Sequence, residues 1–397
     1  MNNKRCPALQ HWIKTVTQRM PPLSKPQAVV LALWSFGMVM TQSCGLPTIA
    51  TFIATLLEKK ENSVRQRLRE WYWEADAKQG KHRQTLNVTV CFAPLVLWVL
   101  SLWPKGQKRL ALAMDATTLK DTFVVLAISI VYRGCAIPVA WTVLEANTKG
   151  AWKPHWIDLF DKLQESVPSD WFVIVMADRG LYAKWLYLEI VGMNWHPFLR
   201  INLGGTYRPH SESNFRWLRF AAPRIGTSWC GRVICFKKRS LDCTLLACWD
   251  AAHSEPWLIV TDLAPEHADV CWYAMRAWIE AGFKDTKRGG WRWNNTRITD
   301  PKRAERHWLA IAVATLWAVS VGGEADATLP ESSFDELPEL HIVRKTRSRK
   351  RSRPRLVSCF RRGVIVILVS LIAGQKLPMG KFYPEPWPVS AAPNNSS

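Results

Sequence analysis

Tyr273, Arg276, Glu280 and Lys287 follow one another at steps of three, four and seven residues. At about 100° per residue a helix would bring all four onto an arc of about 60°, and Lys284 widens that arc only slightly. A single carboxylate set among cations and an aromatic ring is either a salt-bridged solvent face or the edge of a reactive site. Two more acids bear on the choice. Asp115 closes the apolar run "KRLALAMDATT", and Asp178 closes "DWFVIVMADRG". A carboxylate at the carboxyl end of a buried strand is held rigidly and opens into the crevice beyond the sheet. One aspartate after a strand more often caps a turn. Two strands ending alike, with a third acid on a cationic helix, favour a shared site.

These residues need elements to carry them. Residues 1–107 read as helical, and "SKPQAVVLALWSFGMVMTQ" has a Ser cap, a first-turn Pro and apolar residues at helical spacing. Two short helices around the polar turn "KKENS" follow. The second carries Arg65, Arg67 and Arg69; it reads equally as the recognition helix of a helix-turn-helix or as a solvated basic face. From residue 108 the texture is β-β-β-α-β-α through 197, with Arg133-Gly134 as a hairpin turn, which indicates an α/β fold with a mixed sheet. Residues 198–265 read as a β-rich insertion. Helical pattern resumes over 266–323, broken by the loop that follows Gly289-Gly290. The segment 324–397 holds an acidic linker, a basic stretch and an apolar run.

Lys and Arg exceed Asp and Glu by 53 to 32, a net +21. The stretch "RKTRSRKRSRPR" at 344–355 supplies eight of these charges and reads as a non-specific DNA tether; the remaining +13 belongs to the body. Such an excess favours a polyanionic partner. Many of the 23 tryptophans adjoin Arg or Lys; most would pack the core, and some would stack on bases. The ten cysteines include no C-x-x-C pair, so buried thiols in a reduced compartment are expected rather than a zinc ribbon. No secretory signal is visible at the start, and the run "GVIVILVSLIAG" is about half the ~20 residues that span a bilayer. A membrane partner is therefore not expected, and a cytoplasmic, nucleoid-associated location is.

Asp115, Asp178 and Glu280 together resemble the DDE triad of the RNase H-like transposase and integrase superfamily. The 63 residues between the aspartates suit a β-β-β-α-β passage, and the 102 residues to Glu280 suit the branch with a β-rich insertion before the glutamate helix. The spacing Tyr273-x2-Arg276-x3-Glu280-x6-Lys287 is similar to the Y-R-E-K signature of IS4-like insertion-sequence transposases, and "DRG" at 178–180 to that group's second-aspartate motif. The resemblance covers about 108–320. It implies an RNase H-like mixed sheet flanked by helices and interrupted by a β-rich insertion; residues 1–107 show no comparable motif, and their helical, basic pattern alone reads as a domain for DNA ends. The resemblance implies Asp115, Asp178 and Glu280 as catalytic residues and ligands of two Mg²⁺ ions, with Mn²⁺ able to substitute. Tyr273, Arg276, Lys284 and Lys287 would touch DNA. The partners would be double-stranded transposon ends and target DNA, in a complex containing a homodimer.

Two other readings stay open. One is an RNase H-like nuclease without strand transfer; the other is a non-catalytic DNA-binding remnant of a mobile element. The remaining acids, Asp121, Glu145, Asp158, Asp161, Asp262, Glu266, Asp269 and Asp285, are read as caps or solvated positions, Asp285 because it falls outside the cationic arc.

Overall fold

The computed structural model describes residues 6–80, 83–147, 150–251, 253–327 and 357–390. The basic stretch 344–355 and most of the acidic linker lie outside the described residues. The chain opens with five helices: α1 (Pro7–Arg19), α2 (Lys25–Thr41), α3 (Leu46–Leu57), α4 (Glu61–Glu70) and α5 (Phe92–Ser101). Ser24 and Gln27 form a reciprocal capping box at the start of α2, as the sequence indicates. Helix α2 is buried almost all round, which matches its unbroken apolar composition.

The next elements are β1 (Arg109–Leu119), β2 (Phe123–Tyr132), β3 (Cys135–Glu145), α6 (Lys153–Gln164), β4 (Phe172–Ala177), α7 (Lys184–Gly192) and β5 (His196–Arg200). The first six reproduce the expected β-β-β-α-β-α order, and β5 straddles the expected start of the β-rich insertion. Arg133 and Gly134 both adopt positive φ, +46° and +77°, the geometry that tight hairpins between twisted strands favour. Five further strands follow: β6 (Thr206–Pro209), β7 (Arg216–Trp217), β8 (Thr227–Cys235), β9 (Leu241–Trp249) and β10 (Trp257–Thr261). All ten make one sheet in the order β3-β2-β1-β4-β5-β10-β9-β8-β6-β7. Among the described residues only β1–β4 and β4–β5 pair in parallel. The strands after residue 200 thus extend the same sheet, because β10 pairs antiparallel with β5.

Helices α8 (Trp278–Lys284), α9 (Pro301–Ala325) and α10 (Cys359–Ile372) complete the chain. Helix α9 begins where Asp300 accepts a hydrogen bond from the Arg303 backbone N–H, with Pro301 in the first turn. It runs to Ala325, two residues into the segment read as linker. Its length and apolarity would suffice to cross a bilayer, yet 89% of its apolar window is buried inside the protein. It packs against β3 on one side and α2 and α10 on others. Arg306 of α9 donates to the backbone carbonyls of Tyr72 (2.9 Å) and Leu86 (3.2 Å) and pairs with Glu74. The N-terminal helices are thereby fastened to the core by buried charge-assisted hydrogen bonds.

Helices α9 and α10 approach at reciprocal glycines. A Cβ at Gly363 would lie 1.7 Å from the Ala318 carbonyl oxygen, and one at Gly322 1.9 Å from that of Cys359. Both neighbours are backbone, so neither can swing away. Gly363→Ala is expected to lower stability by about 1–3 kcal/mol, the usual cost of overpacking. A shifted chemical-denaturation midpoint with unchanged slope would register it.

Candidate active site

Strands β1 and β4 align Met114 with Ala177, the last pair of their parallel ladder. Asp115 and Asp178 are the next residue on each chain, so the register sets the two carboxylates side by side where the strands part. The first strand does not end at Asp115, as the sequence reading had it. It continues to Leu119, because residues 116–119 still pair with 123–126 of β2. Asp115 occupies the edge of one ladder and the interior of another, a more rigid seat than a strand terminus.

The glutamate segment is not one regular helix. Val270–Ala277 is wound as a 3-10 helix, Trp278–Lys284 as α, and Asp285–Gly289 as a π turn. In a 3-10 turn residues three apart eclipse, so Tyr273 and Arg276 stack along one line. Arg276 and Glu280, four apart across the junction, form an ion pair. Gly282 seats the helix on β3: a Cβ there would meet the Ala136 side chain at 2.8 Å.

Arg276 is the hub. Its guanidinium donates to Asp115 Oδ2 at 2.6 Å and to the Glu280 carboxylate. Side-chain exposures of 9% for Arg276, 19% for Asp115 and 16% for Glu280 make this a largely desolvated triad. Burial raises the Asp115 pKa, Arg276 pulls it down, and Glu280 and Asp178 push it up again. Burial alone would lower the Arg276 pKa, but Asp115, Tyr273, Glu280 and Asp178 outweigh it and raise it. These mutual effects place all three acids in one electrostatic neighbourhood. Asp115 Oδ1 also accepts from the Ala116 N–H (2.8 Å), and Asp178 Oδ1 from the Arg179 N–H (2.6 Å).

The other expected contacts divide. The Lys287 pKa is lowered by burial and by Arg288, against an upward pull from Asp115 that places the two within electrostatic reach. Lys284 is exposed. Tyr273 is 4% exposed, with its hydroxyl 3.4 Å from the Ala177 carbonyl and its ring edge-on to Trp257. Its ring has no free face for a base or phosphate. Arg65, Arg67 and Arg69 lie on α4, apart from this cluster. Several residues near the acids were not anticipated. Arg179 and Arg200 both pair with Glu255, at 2.7 and 3.5 Å, and with Asp178 and Trp257 they line a small recess of about 50 Å³. Arg179 lies within the "DRG" stretch, and nothing local in the sequence marks Arg200 or Glu255.

The donor set is three carboxylates, hard oxygen ligands of the kind divalent Mg²⁺ takes. Two of them share one guanidinium, and Asp178 has no side-chain ion pair among the described residues, so the cluster carries excess negative charge. Among the described residues no three acidic, histidine or cysteine side chains are yet arranged around a common metal position. The chemistry fits a hard cation, on condition that Arg276 leaves the space between Asp115 and Glu280.

A sequence pattern described as a transposase DDE domain matches residues 107–317. The match spans both aspartates, the extended half of the sheet and Glu280. No curated protein matches the chain.

Two measurements test these electrostatics. Arg276→Gln leaves Asp115 and Glu280 buried without their counter-charge, and should destabilise the fold by about 3–5 kcal/mol in chemical denaturation at neutral pH. Asp285, read from sequence as pointing away, has its carboxyl pushed up to about 7 by burial against the opposing pull of Arg361 and Lys284. Its folded value lies above the ordinary 3.8, so the native state binds the extra proton between those values and stability falls as pH rises through that window. Asp285→Asn should flatten the pH dependence of unfolding between about 4 and 7 and leave the variant the more stable protein at pH 8.

Proposed function

The chain belongs to the transposase DDE domain family, and from that membership we propose that it cleaves DNA at the inverted-repeat ends of a transposable element and joins the freed ends to target DNA. The observation that carries the reading is the parallel register that makes Asp115 and Asp178 neighbours, with Glu280 drawn to the same edge through Arg276. The spacing of Tyr273, Arg276, Glu280 and Lys287 supports an IS4-like member, and an RNase H-like core with residues 198–265 as its β-rich insertion. Residues 1–107 are then the end-binding region, 108–197 and 266–323 the two parts of the core, and 324–397 a tail.

Asp115, Asp178 and Glu280 hold the divalent ions, Mg²⁺ with Mn²⁺ as substitute. When bound, these ions supply Lewis-acid activation of a water or a DNA 3′-hydroxyl and stabilisation of the leaving oxygen. The protein's own side chains do the rest. Water oxygen bonds to the scissile phosphorus as the P–O bond to the 3′ oxygen breaks, so the 3′ oxygen leaves with a proton and the 5′ side keeps the phosphate. In the second step that 3′-hydroxyl attacks a target phosphodiester, expelling a target 3′ oxygen. Arg276, released from its carboxylates, and Lys287 and Lys284 bind non-bridging phosphate oxygens beside the cut. Tyr273 keeps the Arg276 backbone in place from below. Arg65, Arg67 and Arg69 on α4 bind the DNA of the transposon end. Two ends must be brought together, which calls for a homodimer on DNA.

The test is cleavage of the element's own terminal duplex. Asp115→Ala, Asp178→Ala and Glu280→Ala should each reduce cleavage in Mg²⁺ by at least about 10³-fold, and chelator should abolish it in the wild type, while end binding persists. Wild-type cutting by any one of the three removes that residue from the site. Pre-cut ends incubated with target DNA should give strand-transfer products; cleavage without them would leave a nuclease.

A further inference from the structure

A second basic feature lies between the N-terminal helices and the loop that precedes α9. A cavity of about 580 Å³ opens there, inside the range of about 300–1,000 Å³ that small-ligand sites occupy. Arg65 and Arg69 come to it from α4, Arg292 and Arg297 from the loop, and Arg303 from the first turn of α9. Among the described residues no aspartate or glutamate lines it. Five guanidinium groups around one recess with no acid among its walls form a site awaiting negative charge.

The walls also carry rings. Trp34 and Tyr72 form a buried floor, and Trp73 stands at the side with the Arg69 guanidinium 4.7 Å and that of Arg303 6.0 Å from its centroid. Planar guanidinium groups held against an indole are themselves stacking surfaces for a base. The Arg69 Nε is buried and makes no hydrogen bond. Arg292 adds backbone strain: it has φ +57° and ψ +37°, left-handed values that a non-glycine residue adopts at a cost. Its neighbours Trp291 and Trp293 are both fully buried, which turns Arg292 outward between them.

A duplex backbone meets arginines from outside a surface; it does not enter a recess with an aromatic floor. An unstacked nucleotide does. We infer that this cavity binds a single extrahelical nucleotide of DNA, with its phosphate on Arg297, Arg292 and Arg65 and its base against the Arg69–Trp73–Arg303 layer. The inference rests on the DNA-transposase reading and names a contact separate from the carboxylate cluster. The same chemistry belongs to a free nucleotide and to a nucleotide within a strand, so the test includes both.

The full-length chain is assayed in chelator by fluorescence polarisation, on a single strand of about eight nucleotides and on a long blunt duplex. Two variants are compared, Arg297→Ala/Arg303→Ala, at exposed positions, and Trp73→Leu. Both should weaken single-strand binding at least about tenfold and duplex binding less than twofold, with unchanged melting temperature. The double variant should also reduce the log–log salt slope for the single strand by about 0.7, because Arg297 is the one of the pair that holds the phosphate. Deoxyadenosine monophosphate should compete with the single strand better than inorganic phosphate does at the same concentration. Equal loss on both DNAs means a plain backbone-binding surface and overturns the inference, as does no loss on either. Equal competition by phosphate and nucleotide also overturns it. Those three results leave the transposase reading standing; failure to bind either DNA at all would bring down both.

Discussion

One alignment governs the molecule: Met114 opposite Ala177 in the parallel ladder of β1 and β4. A slip of one residue would reverse the facing of every side chain on β4 and separate the aspartates. Both faces of the register are therefore buried. Residues 110–114 and 173–177 are almost wholly inaccessible, and β2 is buried along its whole length. Apolar burial thus fixes the position of two charged groups that contribute nothing to burial themselves. The glutamate is placed by a different device, the close seating of Gly282 on β3, and the two devices meet at Arg276.

That meeting point is a balance of opposed terms. Desolvation disfavours each charge, and pairing with Arg276 offsets the cost for Asp115 and Glu280. Arg276 pairs with two of the three acids through its terminal nitrogens and leaves Asp178 without a side-chain ion pair among the described residues. A cation arriving there would relieve repulsion among the carboxylates and free the guanidinium at once. Lys287 lies within electrostatic reach of Asp115 as a further cation.

Much of this was readable in the sequence, and the failures have physical causes. Continuous apolar runs mark the first four strands, because burial on both faces leaves an unmistakable pattern. Ser24-Pro26-Gln27 marked a helix start through capping chemistry that is local. What local pattern cannot show is partnership. The end of β1 was set too early because its last four residues belong to the hairpin with β2, while the run's polar letters resembled a turn. The strands after residue 200 share a sheet with the first five through β10 and β5, a pairing of residues about 60 apart. The stripe from Tyr273 to Lys287 was computed on a uniform helix, whereas the chain winds through three helical pitches. Its members still converge, but Tyr273 is buried and Asp285 is drawn inward. The arginine-lined cavity joins residues from 65 to 303, and nothing in any one stretch announces it.

Helix α9 acts as a shared axle. Its first turn lends Arg303 to the cavity, the next fastens the N-terminal helices through Arg306, its flank lies on β3, and its far end crosses α10 glycine against glycine. Adding or deleting one residue midway would rotate one end relative to the other by about 100° and displace it by about 1.5 Å. Divergent copies of this sequence should therefore accept insertions in loops while keeping the length of this rod invariant, since it sets both the phase and the distance between the parts it joins.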